Sequence, residues 1–523
     1  MELHHLINAT TAEIQYLYLR DNISWIVGCS WGKDSSCTLQ LLWQALAKLS
    51  PEQRHKNINV ITTDTGVENP IIANFCRQSI QQLNAGAEKY LMPFKAHLLK
   101  PTIDNSFWVL SIGKGYARPT HRHRWCTPRL KIDPSDRFIK QHVSQYGESI
   151  LALGVRKDES IKRKTSIEKH QNGDWAWSGN PTAPRHQGSA LEQNLSPSSS
   201  LLNCTIYTPI ADWTTSQVWQ YLLQIENPWG GSNQQLFQIY RGATNSAECP
   251  LVVEENTTSC GKSRFGCYVC TVASSEHSLT SMIENSEENE WLKPLLELRE
   301  ILANSNNSDR HLRLTRKGVQ FHFNKVNSQI NLEPTPGKYH QNFRTALLTR
   351  LLQAQKQIKT NAPKQYRDFE LITLEELSQI RYLWLTYHHE IEDLLPKIYQ
   401  SVMGKEYCEL APERLINKLD DDFWQTAKEI ADEPEAKLIA SLLNVEAKHQ
   451  AINQRQGIYQ ALNQQIKQQK MSQESEIYLG YKSKQAKNID KAASTICGAV
   501  SFRIAFLKLT NRPIPKNKIL RFQ

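Results

Sequence analysis

The apolar run at residues 23–27 passes through Gly28 into Cys29-Ser30-Trp31-Gly32-Lys33-Asp34-Ser35-Ser36, and a helical apolar pattern at Leu39, Leu41, Leu42, Ala45 and Leu46 follows at once. A strand, a sharp turn and a helix in that order aim consecutive backbone N–H groups and a helix N-terminus at one point. That arrangement suits an anion, and Lys33 adds a point charge to it. The turn is not of the Walker type, which needs four residues between its glycines and a Ser or Thr after the Lys. Here three residues separate Gly28 from Gly32, and Asp34 follows Lys33. The expected ligand is a nucleotide polyphosphate.

Four further short apolar runs, at residues 58–62, 96–99, 150–154 and 204–208, are separated by helix-length segments. Strands alternating with helices predict an α/β fold on a doubly wound parallel sheet. Ligands of such sheets bind beyond the carboxyl ends of the strands. Residues 29–36 lie at such an end, and so does Thr63-Asp64-Thr65-Gly66-Val67-Glu68, which makes Asp64 a candidate rim carboxylate. Residues 170–200 are rich in Gly, Pro, Ser and Asn without periodicity and read as a long surface insertion. Past residue 280 the strand signal fades, and residues 290–302, 339–358, 374–387, 423–443 and 452–469 carry helical patterns.

At 523 residues the chain exceeds the ~250–300 at which a single core stops growing. The expected organisation is a nucleotide domain with a cysteine-rich segment at 1–280, a helical connecting region at 281–363 and a helical C-terminal domain at 364–523. The last ends in a basic tail carrying Arg503, Lys508, Arg512, Lys516, Lys518 and Arg521. No apolar stretch approaches the ~18–20 residues of a membrane span, and no signal-peptide pattern opens the chain. A soluble, cytoplasmic protein with no membrane partner is the expectation.

Charge narrows the partners. The net charge of +10 favours a polyanion. Between residues 114 and 140, Lys114, Arg118, Arg122, Arg124, Arg129, Lys131, Arg137 and Lys140 face only Asp133 and Asp136, with Tyr116 and Trp125 interleaved. That mixture suits phosphates and stacked bases. After the fourth apolar run comes Gly154-Val-Arg156-Lys-Asp-Glu159-Ser160-Ile-Lys-Arg163. It sets a guanidinium at the nucleotide rim, where a planar fork binds phosphate or sulfate through two hydrogen bonds. Glu159 and Arg163 also have the spacing of a helical ion pair.

Eleven cysteines in a large chain without a secretion signal argue for metal or catalytic thiols over disulfides. Cys260, Cys267 and Cys270 fall within eleven residues, with glycines between them that let the backbone fold around a ligand. Two thiolates so close reach one metal ion or two irons of a cluster. Cys126 and Cys249 are the candidates for a fourth ligand, and zinc and an iron–sulfur cluster both suit four thiolates. Cys29 and Cys37 read as buried packing residues.

The order Ser-x-Gly-Lys-Asp-Ser at residues 30–35 resembles the pyrophosphate loop of the ATP pyrophosphatases, which split ATP into AMP and pyrophosphate to adenylate an oxygen. That family usually has Gly where Trp31 stands. Trp125-Cys126-Thr-x-x-x-Lys131 and Gly154-x-Arg156-x-x-Glu159-Ser160-x-x-Arg163 are similar to segments of the phosphoadenylylsulfate reductase superfamily. The first of these makes Cys126 the better fourth ligand. The string Asp64-Thr-Gly-Val-Glu-Asn-Pro70, the Cys-x6-Cys-x2-Cys ending and the helical extension resemble the DndC family, ATP-pyrophosphatase sulfurtransferases of bacterial DNA phosphorothioation.

These resemblances imply an adenine nucleotide alpha hydrolase-like fold and replacement of a non-bridging DNA oxygen by sulfur. They imply ATP and Mg²⁺ at Ser30, Gly32, Lys33, Asp34, Ser35, Ser36, Asp64, Gly154, Arg156, Glu159, Ser160 and Arg163, with Lys33, Asp34 and Arg156 catalytic. They also imply a 4Fe-4S cluster on Cys126, Cys260, Cys267 and Cys270, with DNA, a cysteine desulfurase as sulfur donor and companion Dnd proteins as partners. A phosphate oxygen is a poor leaving group and needs prior adenylation, which the loop and a rim carboxylate such as Asp34 or Asp64 would serve through Mg²⁺. The competing readings are an adenylyl-sulfate reductase, a tRNA thiolase and a non-catalytic, zinc-containing DNA-binding component. The first needs a mobile cysteine near the C-terminus, and none follows Cys497.

Overall fold

A computed structural model describes residues 3–171, 192–198, 200–243, 266–272, 276–303, 313–324, 329–386, 388, 393–408, 442, 445 and 457–471. The central sheet has six strands: β1 (Ser24–Gly28), β2 (Ile58–Thr63), β3 (Phe94–Leu99), β4 (Ser149–Leu153), β5 (Leu195–Pro197) and β6 (Cys204–Tyr207), in the order β3-β2-β1-β4-β6-β5. All neighbours are parallel except β5, which runs antiparallel to β6 at the edge. This is the doubly wound α/β fold that the alternation of strands and helices predicts. The edge strand β5 lies inside the segment read as an irregular insertion; three residues are too few to show a period of two.

The helices that cover the sheet begin with α1 (Leu3–Leu19), α2 (Lys33–Ala47), α3 (Pro70–Lys89), α4 (Asp133–Tyr146) and α5 (Ile161–Gln171). After β6 come α6 (Thr215–Gln224), α7 (Asn233–Gly242), α8 (His277–Glu284), α9 (Lys293–Ala303) and α10 (Gln341–Asn361). Among them α2 is central. From Ser35 to Leu46 only Gln44 is not buried, so the helix is enclosed on nearly every side. Its polar Gln40 is fully buried and satisfied, donating to the carbonyls of Ile225 and Glu226 and accepting from Asn233 Nδ2 at 3.0 Å. Unpaired, such an amide costs stability.

From β1 the chain winds outward through β2 to β3, and from β4 it winds the other way to β6. The two directions part between β1 and β4, which pair from Ser24↔Ser149 to Gly28↔Leu153. That is a topological switch point, the place where doubly wound sheets open a crevice for ligand. Both residues 29–36 and Gly154 leave the sheet there.

The chain divides into two compact units. One comprises Met1–Ser308, Arg344–Leu377 and Ile398–Lys405, so the expected break at residue 280 falls inside it. The other comprises Asp309–Phe343, Ser378–Lys397 and Glu406–Gln523. Within this second unit Arg381 grips Asp393 with Nε and a terminal nitrogen, the shorter contact being 2.6 Å, and the Ser378 and Tyr407 hydroxyls lie 2.9 Å apart. The expectation that 281–363 is helical is corrected here. Between α9 and α10, β7 (Arg313–Asn324) and β8 (Gln329–Tyr339) form an antiparallel hairpin. Val319, Phe321 and Phe323 alternate with polar residues, as do Ile330 and Leu332, but the pattern is short and diluted by charges. Of the expected C-terminal helices, Leu374–Thr386 and Ile458–Met471 are described, and Leu394–Met403 is a further helix between them. Residues 423–441 and the basic tail lie outside the described residues.

Candidate active site

The loop at 29–36 is built from both neighbouring strands. Cys29 N donates to Ile61 O at 2.9 Å, which continues the β1–β2 ladder past the strand end. The chain then turns at Trp31, whose φ of 58° lies in the left-handed region that favours glycine. Burial of the indole offsets that strain. Trp31 is 3% exposed, and its Nε1 donates at 2.9 Å to Thr62 Oγ1, which in turn donates to Cys29 O. The indole therefore turns inward beneath the loop at the position where the ATP pyrophosphatases usually carry Gly.

Gly154 completes the loop from the other side. A Cβ at this position would stand 2.7–2.8 Å from the backbone of Asp34 and Ser35, so only glycine lets β4 pass this close to the start of α2. Ser35 Oγ donates to Gly32 O at 3.1 Å and lies 3.3 Å from Ser30 Oγ. Lys33 N, the first amide of α2, donates to the Tyr240 hydroxyl at 3.3 Å, and Lys33 Nζ lies 5.7 Å over the Tyr240 ring. Burial pushes the Tyr240 phenol well up, so its hydroxyl is neutral. Sequence reasoning missed Tyr240, which reaches the loop across 207 residues of separation and sits in no motif.

Asp34 binds two cations at once. Lys33 Nζ lies 2.9 Å from Oδ2, and Arg156 Nε donates to Oδ1 at 2.7 Å. Arg156 is 1% exposed, and its remaining nitrogens donate to Asp158, the Trp213 carbonyl and Thr215 Oγ1 at 3.1–3.2 Å. The guanidinium fork that the sequence offers for a two-pronged grip on phosphate meets protein groups here. Asp158 and Thr215 were not singled out in the sequence, although Thr214-x-x-Gln217 is a legible capping box for α6, and it forms. Glu159 accepts from Arg156 N at 3.4 Å and pairs with Arg163, while Ser160 Oγ accepts from Arg163 N at 3.3 Å. These three residues brace the turn after β4.

The opposite side of the crevice is the end of β2. Asp64 is 8% exposed; its Oδ1 accepts from Gly66 N at 2.9 Å, and its Oδ2 lies 3.6 Å from Arg77. Four residues on, the rim meets the cysteine-rich segment. Glu68 and Cys267 form an antiparallel bridge, Tyr268 N donates to Val67 O at 3.0 Å, and Thr65 Oγ1 lies 3.5 Å from Cys267 Sγ. Burial lifts the Glu68 carboxyl to about 7. Cys270 N donates to Cys267 O, which closes a turn that carries two thiols.

Cys126 and Cys270 lie within electrostatic reach of each other, as do Cys267 and Cys270, and Lys131 faces all three thiols. Among the described residues no three His, Cys, Asp or Glu side chains close on one point as a finished ion site. Cys260 and Cys249 lie outside the described residues. Thiols brought together from two distant segments, with a cation beside them, fit a thiolate-bound cluster or zinc by donor chemistry. Cys29 and Cys37 are buried, burial pushing Cys29 to about 11 and Cys37 well above its ordinary value, so both stay protonated packing groups. Cys76, not singled out in the sequence, packs beneath the loop with Sγ 3.9 Å from Ser30 O.

Residues 24–273 match the phosphoadenosine phosphosulfate reductase domain family, a span that starts at β1 and ends just past the Cys267–Cys270 turn. Over this stretch the chain is similar to that family. An uncharacterized protein of Methanocaldococcus jannaschii is 27% identical over 205 residues, which cover 39% of this chain and 32% of that one. The chain thus spans about a third of that relative's length. A solved structure, the U34-tRNA thiolase NcsA from Methanococcus maripaludis with its 4Fe-4S cluster, superposes at a TM-score of 0.25 and 12% identity, over 58% of this chain and 82% of that one. No helix among the described residues is long and apolar enough to cross a membrane.

Proposed function

We propose that the reductase-like domain is an ATP-dependent sulfurtransferase that activates a DNA backbone phosphate and replaces one of its non-bridging oxygens by sulfur. One observation carries the reading: β2 pairs with β1, the strand that leads into the phosphate loop, and the rim beyond β2 carries Asp64 and pairs through Glu68 with Cys267. The strand beside the anion loop thus runs within five residues into the segment that holds the thiol centre. A reaction that adenylates an oxygen at one and delivers sulfur from the other needs both within reach of one acceptor phosphorus.

In this reading ATP lays its phosphates along Ser30, Gly32, Lys33, Ser35 and Ser36, where the amides at the start of α2 and the Lys33 ammonium meet negative charge. A phosphate oxygen of DNA attacks the α-phosphorus and pyrophosphate leaves into the loop. Hydrosulfide-level sulfur then attacks the DNA phosphorus and AMP departs with the oxygen. Lys33 exchanges its Asp34 partner for phosphate, while Arg156 keeps Asp34 in place. Asp64, whose contact with half-exposed Arg77 is long at 3.6 Å, is the carboxylate that would hold Mg²⁺, since both Asp34 oxygens meet cations at 2.7–2.9 Å. Cys126, Cys260, Cys267 and Cys270 would hold a 4Fe-4S cluster, which when bound supplies a site for inorganic sulfide. A cysteine desulfurase provides the sulfur as persulfide, which needs two electrons to reach the hydrosulfide level. Companion Dnd proteins handle the DNA, and the setting is the cytoplasm.

The test is anaerobic incubation of the full chain with ATP, Mg²⁺, a cysteine desulfurase with cysteine and reductant, and DNA, followed by nuclease digestion and mass spectrometry. Sulfur-containing dinucleotides that require ATP are expected. Sulfur in added tRNA with none in DNA would contradict the DNA acceptor, and no sulfur in either would contradict the transferase reading.

A further inference from the structure

Trp125 and Tyr116, whose spacing among basic residues suggests base stacking, are used up inside the protein. Trp125 is 6% exposed, stacks on Phe107 at 5.4 Å and donates from Nε1 to Ala117 O at 2.8 Å. Tyr116 stands edge-on to Trp125 and under the Arg129 guanidinium at 5.5 Å. What the segment offers outward is charge. His121, Arg122, His123 and Arg124 are four consecutive exposed side chains, on a turn closed by reciprocal backbone hydrogen bonds of 3.1 Å between Thr120 and His123. Among the described residues no carboxylate pairs with Arg122, Arg124 or Arg129; Arg129 donates instead to the neutral Asn105 Oδ1 at 2.7 Å.

This turn is fixed to the thiol centre at both ends. Before it, the Pro119 carbonyl accepts from Thr271 Oγ1 at 2.7 Å, one residue beyond Cys270. After it, buried Trp125 is followed directly by Cys126 and a π-helical turn at Thr127–Ile132, a rare geometry that is frequent at functional sites. A cationic ridge is thereby held rigidly beside Cys126 and Cys270.

We propose that the ridge at 121–124 is the docking surface for the phosphodiester backbone of the acceptor nucleic acid, setting one phosphate against the thiols. The proposal rests on the sulfurtransferase reading for its purpose and on the ridge itself for its chemistry. Guanidinium forks match phosphate oxygens. With the aromatics withdrawn, the surface reads backbone and not bases, so binding through it is independent of sequence and falls steeply with salt.

The experiment is fluorescence anisotropy of the full chain with labelled random-sequence duplex DNA, single-stranded DNA and RNA at rising KCl. Arg122→Glu/Arg124→Glu is compared with Lys48→Glu/Lys95→Glu, a control of equal charge change at exposed positions after α2 and on β3. The ridge variant is expected to lose at least tenfold in affinity and to flatten the log–log salt slope by about 2, roughly one per lost phosphate contact. The control should keep the wild-type slope, and equal melting temperatures exclude misfolding. A ridge variant that binds like wild type, or a wild type that binds no nucleic acid, overturns the surface. ATP turnover by the wild type, read in parallel, separates the two ideas: binding through the ridge without release of pyrophosphate keeps the surface and removes the transferase.

Discussion

Arg156 and Glu13 show how far a residue's meaning depends on what surrounds it. In the sequence Arg156 reads as a phosphate fork because it follows a strand end within Gly-x-Arg. In the fold it is enclosed by Asp34, Asp158, the Trp213 carbonyl and Thr215, and it meets the start of α2 through Asp34. The two partners near residue 214 lie over fifty positions away, beyond any local pattern. Glu13 carries no motif, yet burial lifts its carboxyl to about 7 from 4.5, with Asn194 Nδ2 at 3.1 and 3.2 Å from its two oxygens. A raised carboxyl stabilises the fold below pH 4.5, where it is protonated in both states. That contribution is lost as pH climbs through about 7 and the buried group ionises, a swing on the order of 3 kcal/mol. Glu13→Gln should therefore melt above the wild type at pH 8 and close to it at pH 5; equal melting temperatures at pH 8 would show that the carboxylate is not penalised.

Among the elements, α2 concentrates the site. The strand before it, the turn and the helical pattern after it are all legible, because a short apolar run gives way to an apolar pattern of helical period across eight residues that are polar or small apart from Trp31. What the sequence does not reveal is the contact behind the helix start. Gly154 reads as one member of a motif, whereas its role is clearance for Asp34 and Ser35. Gly154→Ala should displace the loop and weaken inorganic pyrophosphate binding at least tenfold by calorimetry, with the sheet intact by circular dichroism. Unchanged affinity would mean that the loop tolerates the shift. The β7–β8 hairpin marks the opposite limit, since its five alternating apolar residues are outweighed by the charges around them.

For the whole molecule, the order of strands fixes where chemistry is possible. Splitting the sheet between β1 and β4 creates the crevice, and pairing Glu68 with Cys267 draws the thiols to its β2 side. Each half was visible as a motif in the sequence. Their junction was not, because it joins residues 199 positions apart through one bridge. The measurement that bears most directly on the account is product analysis of α- and γ-labelled ATP with the anaerobically purified chain, Mg²⁺ and DNA, for the wild type and Lys33→Ala. AMP with pyrophosphate from the wild type, and at least a hundredfold loss in Lys33→Ala, is the predicted result, as expected when a preorganised charge is removed from the leaving group. ADP with phosphate, or equal AMP release by both proteins, would contradict chemistry at the α-phosphate on this loop.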